Sequence, residues 1–204
     1  MRRRNTETHN GRSTTARINS VKFVVSGGFG AGKTTFVSAI SEIPPLRTEA
    51  AMTSVAADVD RRKGSEAKTT TTVAMDFGRL TVDRSLVMYL FGTPGQERFG
   101  FMWDNITNGA LGAVILVDTS RLDQSFPAVD HFEAKSIPFV VAVNRFEDRP
   151  AHSLAEVRTA LGIAPEIPMT ECDARRTDSA KDVLLLLLEH LARRAQNVAV
   201  ASGV

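Results

Sequence analysis

The chain has 204 residues, which suits one domain with a sizeable core. Its 43% hydrophobic and 24% charged residues are ordinary for a soluble globular protein, and no apolar run approaches the roughly 20 residues of a membrane-spanning helix. The net charge is +2, but residues 1–19 contain five arginines against one glutamate, so they carry +4 and the remaining residues −2. Because the remainder is not basic, the composition argues against a nucleic-acid-binding surface.

Cysteine content and the two ends of the chain define the expected organisation. The single Cys172 excludes an internal disulfide and predicts a cytoplasmic protein in a reducing compartment. Residues 1–19 are polar and aperiodic, which predicts a disordered basic N-terminal tail. We expect one folded domain over residues 20–195 and a C-terminal tail over residues 196–204.

The first predicted strand, Ser20–Ser26, runs directly into a glycine-rich segment that matches G-x-x-x-x-G-K-[ST] at every fixed position. Such a phosphate-binding loop (P-loop) turns backbone N–H groups toward phosphate oxygens, and the following helix adds the positive end of its dipole. Lys33 is predicted to neutralise the outer phosphates during catalysis, and Thr34 to bind Mg²⁺ through its hydroxyl. The residues predicted to bind the nucleotide here are Gly27, Gly28, Phe29, Gly30, Ala31, Gly32, Lys33, Thr34 and Thr35.

A helix over Lys33–Glu42 is ended by two prolines, and residues 46–68 lack a periodic pattern, which predicts a long mobile loop. The β-branched strand Thr69–Val82 follows and is expected to form an antiparallel hairpin with Leu86–Phe91. A threonine where loop and strand meet can reach Mg²⁺ and the γ-phosphate. Residues 69–72 are all threonine, so the choice stays open between them and a plain strand residue; we favour Thr72.

The segment after the hairpin begins Gly-Thr-Pro-Gly-Gln-Glu at Gly92. Gly95 can present its backbone N–H to the γ-phosphate without steric cost. Gln96 is the predicted catalytic residue that orients the attacking water. The alternative is an ordinary Pro-Gly turn before a short helix.

The rest of the chain alternates strands and helices, which predicts an α/β domain with three layers and mostly parallel strands. Two continuous apolar runs are typical of strands that are covered on both faces. The predicted elements are the strands Leu111–Val117, Phe139–Val143 and Ile167–Glu171, and the helices Leu122–Lys135, Ser153–Leu161 and Asp178–Arg194.

Two strand ends carry residues suited to a guanine base. Asn144 can support the P-loop and contact the base, Glu147 can accept from guanine N1 and N2, and the Arg145 stem can cover the ring. Adenine offers no such pair of donors, so a carboxylate at this position favours guanine. After the last strand, a backbone N–H at Cys172 or Ala174 can meet the base oxygen O6.

These residues resemble those of the Ras-like small GTPases over roughly residues 20–195, and among them the bacterial MglA class and the GTP-binding proteins of actinobacterial conservon operons. The resemblance implies a three-layer P-loop NTPase domain whose six-stranded, mostly parallel sheet has the order 2-3-1-4-5-6 and one antiparallel edge strand. It implies GTP or GDP with Mg²⁺, and two switches near residues 46–72 and 92–104. The partners it implies are a roadblock-type regulator and a sensor-kinase-like membrane protein, through which the chain would associate peripherally with a membrane.

The chain departs from the Ras-like pattern at several positions. Gly92 stands where most members have the aspartate that holds Mg²⁺ through water. Arg145 and Glu147 replace the usual lysine and aspartate, and the longer Glu147 is expected to reduce guanine affinity or selectivity. The candidate replacements for the missing aspartate are Asp58, Asp60 and Asp76, among which the sequence does not choose.

No arginine is assigned with certainty to the γ-phosphate. Arg61, Arg62 and Lys68 are candidates, although solvated loop charges are the favoured interpretation. Three functions therefore stay open: a slow switch GTPase that a partner accelerates, a P-loop ATPase or phosphotransferase, and a nucleotide-bound adaptor that does not hydrolyse.

Overall fold

The computed structural model describes residues 19–44, 46–52, 71–95, 97–147 and 152–201. Its strands are β1 Asn19–Gly27, β2 Leu46–Met52, β3 Thr71–Thr81, β4 Leu86–Gly92, β5 Gly112–Val117, β6 Phe139–Asn144 and β7 Met169–Cys172. Its helices are α1 Lys33–Ile40, α2 Trp103–Thr107, α3 Phe126–Ala134, α4 Leu154–Leu161 and α5 Thr177–Ala201, with 3₁₀ segments at Glu97–Met102 and Thr119–Ser125. The predicted tail over residues 1–18 lies outside the described residues, and Asn19 already belongs to β1.

The strands form one sheet in the order β2-β3-β4-β1-β5-β6-β7. The three-layer α/β prediction is confirmed, and the six strands it counted keep the predicted order 2-3-1-4-5-6. Strand β3 runs antiparallel to both of its neighbours, while the pairs on either side of β1, and those from β5 to β7, are parallel. The carboxyl ends of β1, β4, β6 and β7 therefore open on the same edge of the sheet, which is where ligands bind in such folds.

Alternate residues of the central strands enter two different hydrophobic layers, which explains their continuous apolar runs. Phe23 and Val25 of β1 pack in the layer that contains α1 and α5, whereas Val24 packs against α2, α3 and α4. The leucine-rich stretch of α5 supplies Leu184 and Leu187 to the first layer. None of the described helices has the length and hydropathy that a membrane crossing requires.

Two predictions about irregular segments are wrong in part. Residues 46–52, which we expected to be loop, form β2 and pair with β3 from Leu46↔Phe77 to Met52↔Thr71. The exposed edge of β3 offers unpaired backbone groups that a weakly patterned segment can satisfy, so no strong sequence signal is needed. Helix α5 continues to Ala201 instead of ending near Arg194, through residues that were assigned to a tail. That stretch is rich in alanine, a strong helix former, and contains neither glycine nor proline.

Strand β3 approaches α1 closely at Gly78. A Cβ atom built there would lie 2.7 Å from Val37 Cγ1 and 3.2 Å from Ser41 Cβ. The Ser41 hydroxyl also accepts a hydrogen bond from Arg79 N at 3.2 Å. Helix and strand are therefore in contact with no space for a side chain between them.

We predict that Gly78→Ala destabilises the protein by about 1–2 kcal/mol, because the added methyl group overpacks a buried contact. Urea unfolding followed by circular dichroism measures the change. Gly100→Ala is the matched control, since a Cβ atom at Gly100 meets nothing within 4 Å. Equal stability of the two variants would contradict the close approach of β3 to α1.

Candidate nucleotide-binding site

The P-loop between β1 and α1 depends on backbone shapes that side chains disfavour. Gly27 has φ +136°, and a Cβ atom there would lie 2.2 Å from the carbonyl oxygen of Leu116. Gly32 has φ +103°, and its Cβ atom would lie 2.5 Å from Asn144 Nδ2. At both positions the loop is pressed against a neighbouring strand end, so only glycine fits.

The side chain of Lys33 folds back into the P-loop. Its Nζ donates to the carbonyl oxygens of Gly27 at 2.8 Å and Gly28 at 2.7 Å, and the residue is 8% exposed. Burial lowers the pKa of Lys33 to about 8, and the charge of Asp76 opposes that shift. The ammonium group is thus desolvated before it meets a ligand, beside the N-terminus of α1, which favours an anionic partner.

Thr34 and Asp76 are joined by a short hydrogen bond. The Thr34 hydroxyl donates to Asp76 Oδ2 at 2.6 Å. Gly92 lies beside the same carboxylate: a Cβ atom built at Gly92 would be 3.2 Å from Asp76 Oδ2. Of the three predicted candidates, Asp76 is thereby placed at Thr34, while Asp58 and Asp60 lie outside the described residues.

The segment after β4 returns to the P-loop and is fixed at its start. Thr93 N donates to Val25 O at 2.9 Å, and the indole N–H of Trp103 donates to Pro94 O at 3.2 Å. Gly95 then lies against Lys33, since a Cβ atom on Gly95 would be 2.6 Å from Lys33 Nζ. The predicted contact of the Gly95 N–H with a γ-phosphate stays a prediction. The anchoring role of Trp103 was missed, because one apolar residue in a short helix carries no sequence signal.

Two other predicted residues have limited descriptions. Gln96 lies outside the described residues. Thr72 is paired with Ala51 in the β2–β3 register, and its side chain lies outside the described part of the structure. Their roles therefore stay predictions, as do those of Arg61, Arg62 and Lys68, which also lie beyond the described ranges.

A cavity of about 340 Å³ adjoins the P-loop on the side of β6 and β7. Asn144, which is 6% exposed, ties its walls together: Nδ2 donates to Ala31 O at 3.0 Å, and Oδ1 accepts from Ala174 N at 3.0 Å. The volume is within the range of small-ligand pockets. The lining residues are Gly30, Gly32, Thr35, Asn144, Arg145, Phe146, Glu147, Asp173, Ala174 and Arg175.

Two arginines, Arg145 and Arg175, form ion pairs with different acidic residues around this cavity. Arg145 pairs with Glu171 and donates to His152 O at 3.1 Å, so its guanidinium points to the rim. Arg175 bridges Glu147 at 3.0 Å and Asp173 at 2.9 Å, and the hydrogen bonds from Arg175 lower the pKa of Asp173. Sequence reasoning missed Arg175, although an alternating acid and base after a strand end was visible.

Cys172 and Phe29, both predicted as nucleotide contacts, differ in environment. Cys172 is buried, which raises the pKa of its thiol to about 11, and its carbonyl oxygen accepts from Arg145 N at 2.7 Å. The thiol is therefore a core group, and Cys172 is not among the residues that line the cavity. Phe29 is 58% exposed at the tip of the P-loop.

The 3₁₀ segment Thr119–Ser125 braces the outside of the P-loop. A Cβ atom at Gly28 would lie 2.6 Å from Gln124 Cβ, and one at Gly30 would lie 2.7 Å from Arg121 Nη2. Arg121 is held by the buried carboxylate of Asp118 at 3.3 Å. A guanidinium group thus lies against the loop from Arg121, one residue before the helix predicted over Leu122–Lys135.

A family model described as "Conserved hypothetical ATP binding protein" matches residues 25–194. The chain belongs to this family. It is also 30% identical over 127 residues to the uncharacterized protein MJ1339 of Methanocaldococcus jannaschii, covering 61% of this chain and 70% of that one. Translation initiation factor IF-2 of Rickettsia prowazekii is 25% identical over 189 residues, but the chain spans only 22% of that factor's length.

Two solved structures resemble the fold. The G domain of the Thermotoga maritima FeoB iron transporter has a TM-score of 0.59 and 15% identity, with 84% of this chain and 99% of that chain covered. The small GTPase Arl6 of Trypanosoma brucei, with the bound analogue GppNp, has a TM-score of 0.61 and 15% identity, covering 86% and 99%. The P-loop GTPase-like fold is therefore shown, together with membership of a nucleotide-binding family.

The pKa of Lys33 predicts proton uptake on nucleotide binding. Because the pKa of Lys33 is lowered to about 8, a bound phosphate anion should restore charge to the fraction of the side chain that is neutral. Calorimetric titrations in two buffers of different ionisation enthalpy should show a proton uptake that is larger at pH 8 than at pH 7. Lys33→Ala should abolish triphosphate binding. Uptake that does not rise with pH, or binding that survives the substitution, would contradict this site.

Proposed function

We propose that this protein is a small GTP-binding switch of bacterial signalling, which holds GTP or GDP with Mg²⁺ and hydrolyses GTP slowly until a partner accelerates the reaction. The observation that carries the proposal is the joint placement of Asn144 and Glu147 at one cavity beside the P-loop. Asn144 connects that cavity to the phosphate end through Ala31. A purine nucleotide would then lie with its phosphates at Lys33 and its base beneath the loop after β6.

Recognition of guanine is assigned to Glu147. The carboxylate lies at the cavity rim with 81% of its side chain exposed, and Arg175 holds it at 3.0 Å. Guanine presents two adjacent N–H donors, N1 and N2, which suit the two oxygens of one carboxylate. Adenine presents an acceptor at N1, which a carboxylate repels. The family description names ATP, so adenine is the specific alternative that an experiment has to exclude.

The phosphate end fits a triphosphate with Mg²⁺. Lys33 supplies a buried cation, and Thr34 and Asp76 supply oxygen atoms of the kind that Mg²⁺ prefers. When bound, Mg²⁺ neutralises charge on the β- and γ-phosphates. Thr72, the second residue of β3, is proposed as a further ligand.

Hydrolysis is assigned to the segment after β4. Gly95 lies against Lys33, and Gln96 is the next residue in the sequence. In this proposal Gln96 orients water, and an arginine is supplied by a partner or not at all. A protein that binds nucleotide without turnover is the outcome that would favour the adaptor function.

The proposed partners come from the resemblance to MglA-like and conservon proteins: a roadblock-type regulator, and a sensor-kinase-like membrane protein that brings the chain to a membrane surface. A cytoplasmic location agrees with the free, buried Cys172. We propose no nucleic-acid partner.

The base assignment predicts a selective loss of affinity. Glu147→Ala should weaken GTP binding by about tenfold to a hundredfold, because guanine N1 and N2 lose their acceptor, and should change ATP binding little. Competition of GTP and ATP against a fluorescent nucleotide measures both affinities. Glu133→Ala, which removes an exposed glutamate from α3, is the matched control. Equal losses for GTP and ATP would remove Glu147 from base recognition, and tighter binding of ATP by the unmodified chain would reject the GTP proposal.

The water-orienting role of Gln96 predicts that Gln96→Leu slows single-turnover GTP hydrolysis by tenfold or more, roughly the effect of a lost positioning group. Nucleotide affinity should not change. The single tryptophan, Trp103, donates to Pro94 O, so its fluorescence can report whether the variant still responds to nucleotide. A normal rate in the variant would exclude Gln96 from the mechanism.

A further inference from the structure

Asp76 is the acidic residue that the structure places at the Mg²⁺-binding threonine. Thr34 Oγ1 donates its proton to Asp76 Oδ2 at 2.6 Å, and the bond joins residues 42 apart in the chain. A hydroxyl whose proton is committed in this way keeps its lone pairs for another partner. Asp76 therefore orients Thr34 as a ligand for a cation.

The electrostatic surroundings agree with that role. The carboxylate of Asp76 lies close enough to Lys33 to raise the pKa of its ammonium group against the effect of burial. One acidic group thus interacts with both Lys33 and Thr34, the two side chains that the P-loop motif assigns to the phosphates and Mg²⁺. A divalent cation placed there meets a carboxylate and a hydroxyl, both hard oxygen donors.

The glycine at position 92 is explained by Asp76. Gly92 is not among the glycines with positive φ, so its backbone does not require glycine. The obstacle to a side chain is space: a Cβ atom at Gly92 would lie 3.0 Å from Asp76 Cβ and 3.2 Å from Asp76 Oδ2. The volume that a residue at 92 would fill is already taken by the side chain from β3.

The pairing of β3 with β4 places the side chain of Asp76 beside Gly92. The antiparallel register ends at Phe77↔Phe91, so Asp76 and Gly92 are the next opposed pair, where side chains share one face of the sheet. The close contact of Gly78 with α1 holds β3 near Thr34. A carboxylate can therefore reach Thr34 from either strand.

We infer that Asp76 is the positioning carboxylate of the Mg²⁺ site in this protein, and that it occupies from β3 the place that an aspartate at position 92 would occupy from β4. The inference rests on the proposed function, since it assumes that nucleotide brings Mg²⁺ to Thr34. It assigns the acid to a different strand from the one that the Ras-like resemblance implies.

The test measures the Mg²⁺ dependence of nucleotide binding, which does not require turnover. Release of a fluorescent GDP analogue is followed across a Mg²⁺ titration, and affinity is measured again in excess EDTA. Asp76→Ala, and the isosteric Asp76→Asn in case the first folds poorly, should raise the Mg²⁺ concentration for half-maximal retention by about 10–100-fold. Affinity in EDTA should stay equal or rise, because a negative charge near the phosphates is lost. Asp130→Asn, at an exposed position of α3, is the matched control.

The double variant Asp76→Gly/Gly92→Asp moves the carboxylate to the other strand. It should recover most of the Mg²⁺ dependence that Asp76→Ala loses, while melting temperatures report whether each variant folds. If the Asp76 variants lost nucleotide affinity equally with Mg²⁺ and in EDTA, the inference would be overturned and Asp76 would be a structural residue. A swap variant as weak as Asp76→Ala would overturn the claim that the two positions share one site. Failure of the unmodified chain to bind guanine nucleotide in either condition would instead reject the proposed function.

Discussion

The site depends on how the carbonyl groups of the P-loop are satisfied. A loop can offer its N–H groups to an anion only if its carbonyl oxygens, which would repel that anion, are engaged elsewhere. Lys33 binds the carbonyls of Gly27 and Gly28, Asn144 binds that of Ala31, and the first turn of α1 binds that of Gly32. The P-loop is thus held from within by the Lys33 ammonium group and from outside by the Asn144 amide, which lines the neighbouring cavity. In the proposed function, these few bonds would couple phosphate binding to base binding.

The parallel sheet supplies the components from separate places along the chain. β1 delivers the P-loop, β4 delivers Thr93 and Pro94, β6 delivers Asn144, and β7 leads to Ala174. Their carboxyl ends share one edge, so residues far apart in sequence converge without long loops.

Those parts of the site that lie on contiguous residues could be predicted from sequence. The P-loop motif occupies eight consecutive positions. The helix predicted over Ser153–Leu161 is likewise local, since the structure shows a capping box between Ser153 and Glu156 at its start. Strand β2 could not be predicted, because it forms by pairing with the free edge of β3 and its own residues show no strand pattern. Likewise, nothing local distinguishes Asp76 from Asp58 or Asp60. Only the register of β3 against β4, and the bare Cα of Gly92, show which acid reaches Thr34.

Placing the acid on β3 changes which part of the chain senses the metal site. An aspartate on β4 would connect Mg²⁺ directly to the segment that begins with Thr93 and Pro94, a segment that is already fixed to Val25 and Trp103. An aspartate on β3 would connect it instead to the β2–β3 pair. In the proposed function, Mg²⁺ would therefore act on the outer strands through Asp76, while the γ-phosphate would act on the segment that carries Gly95.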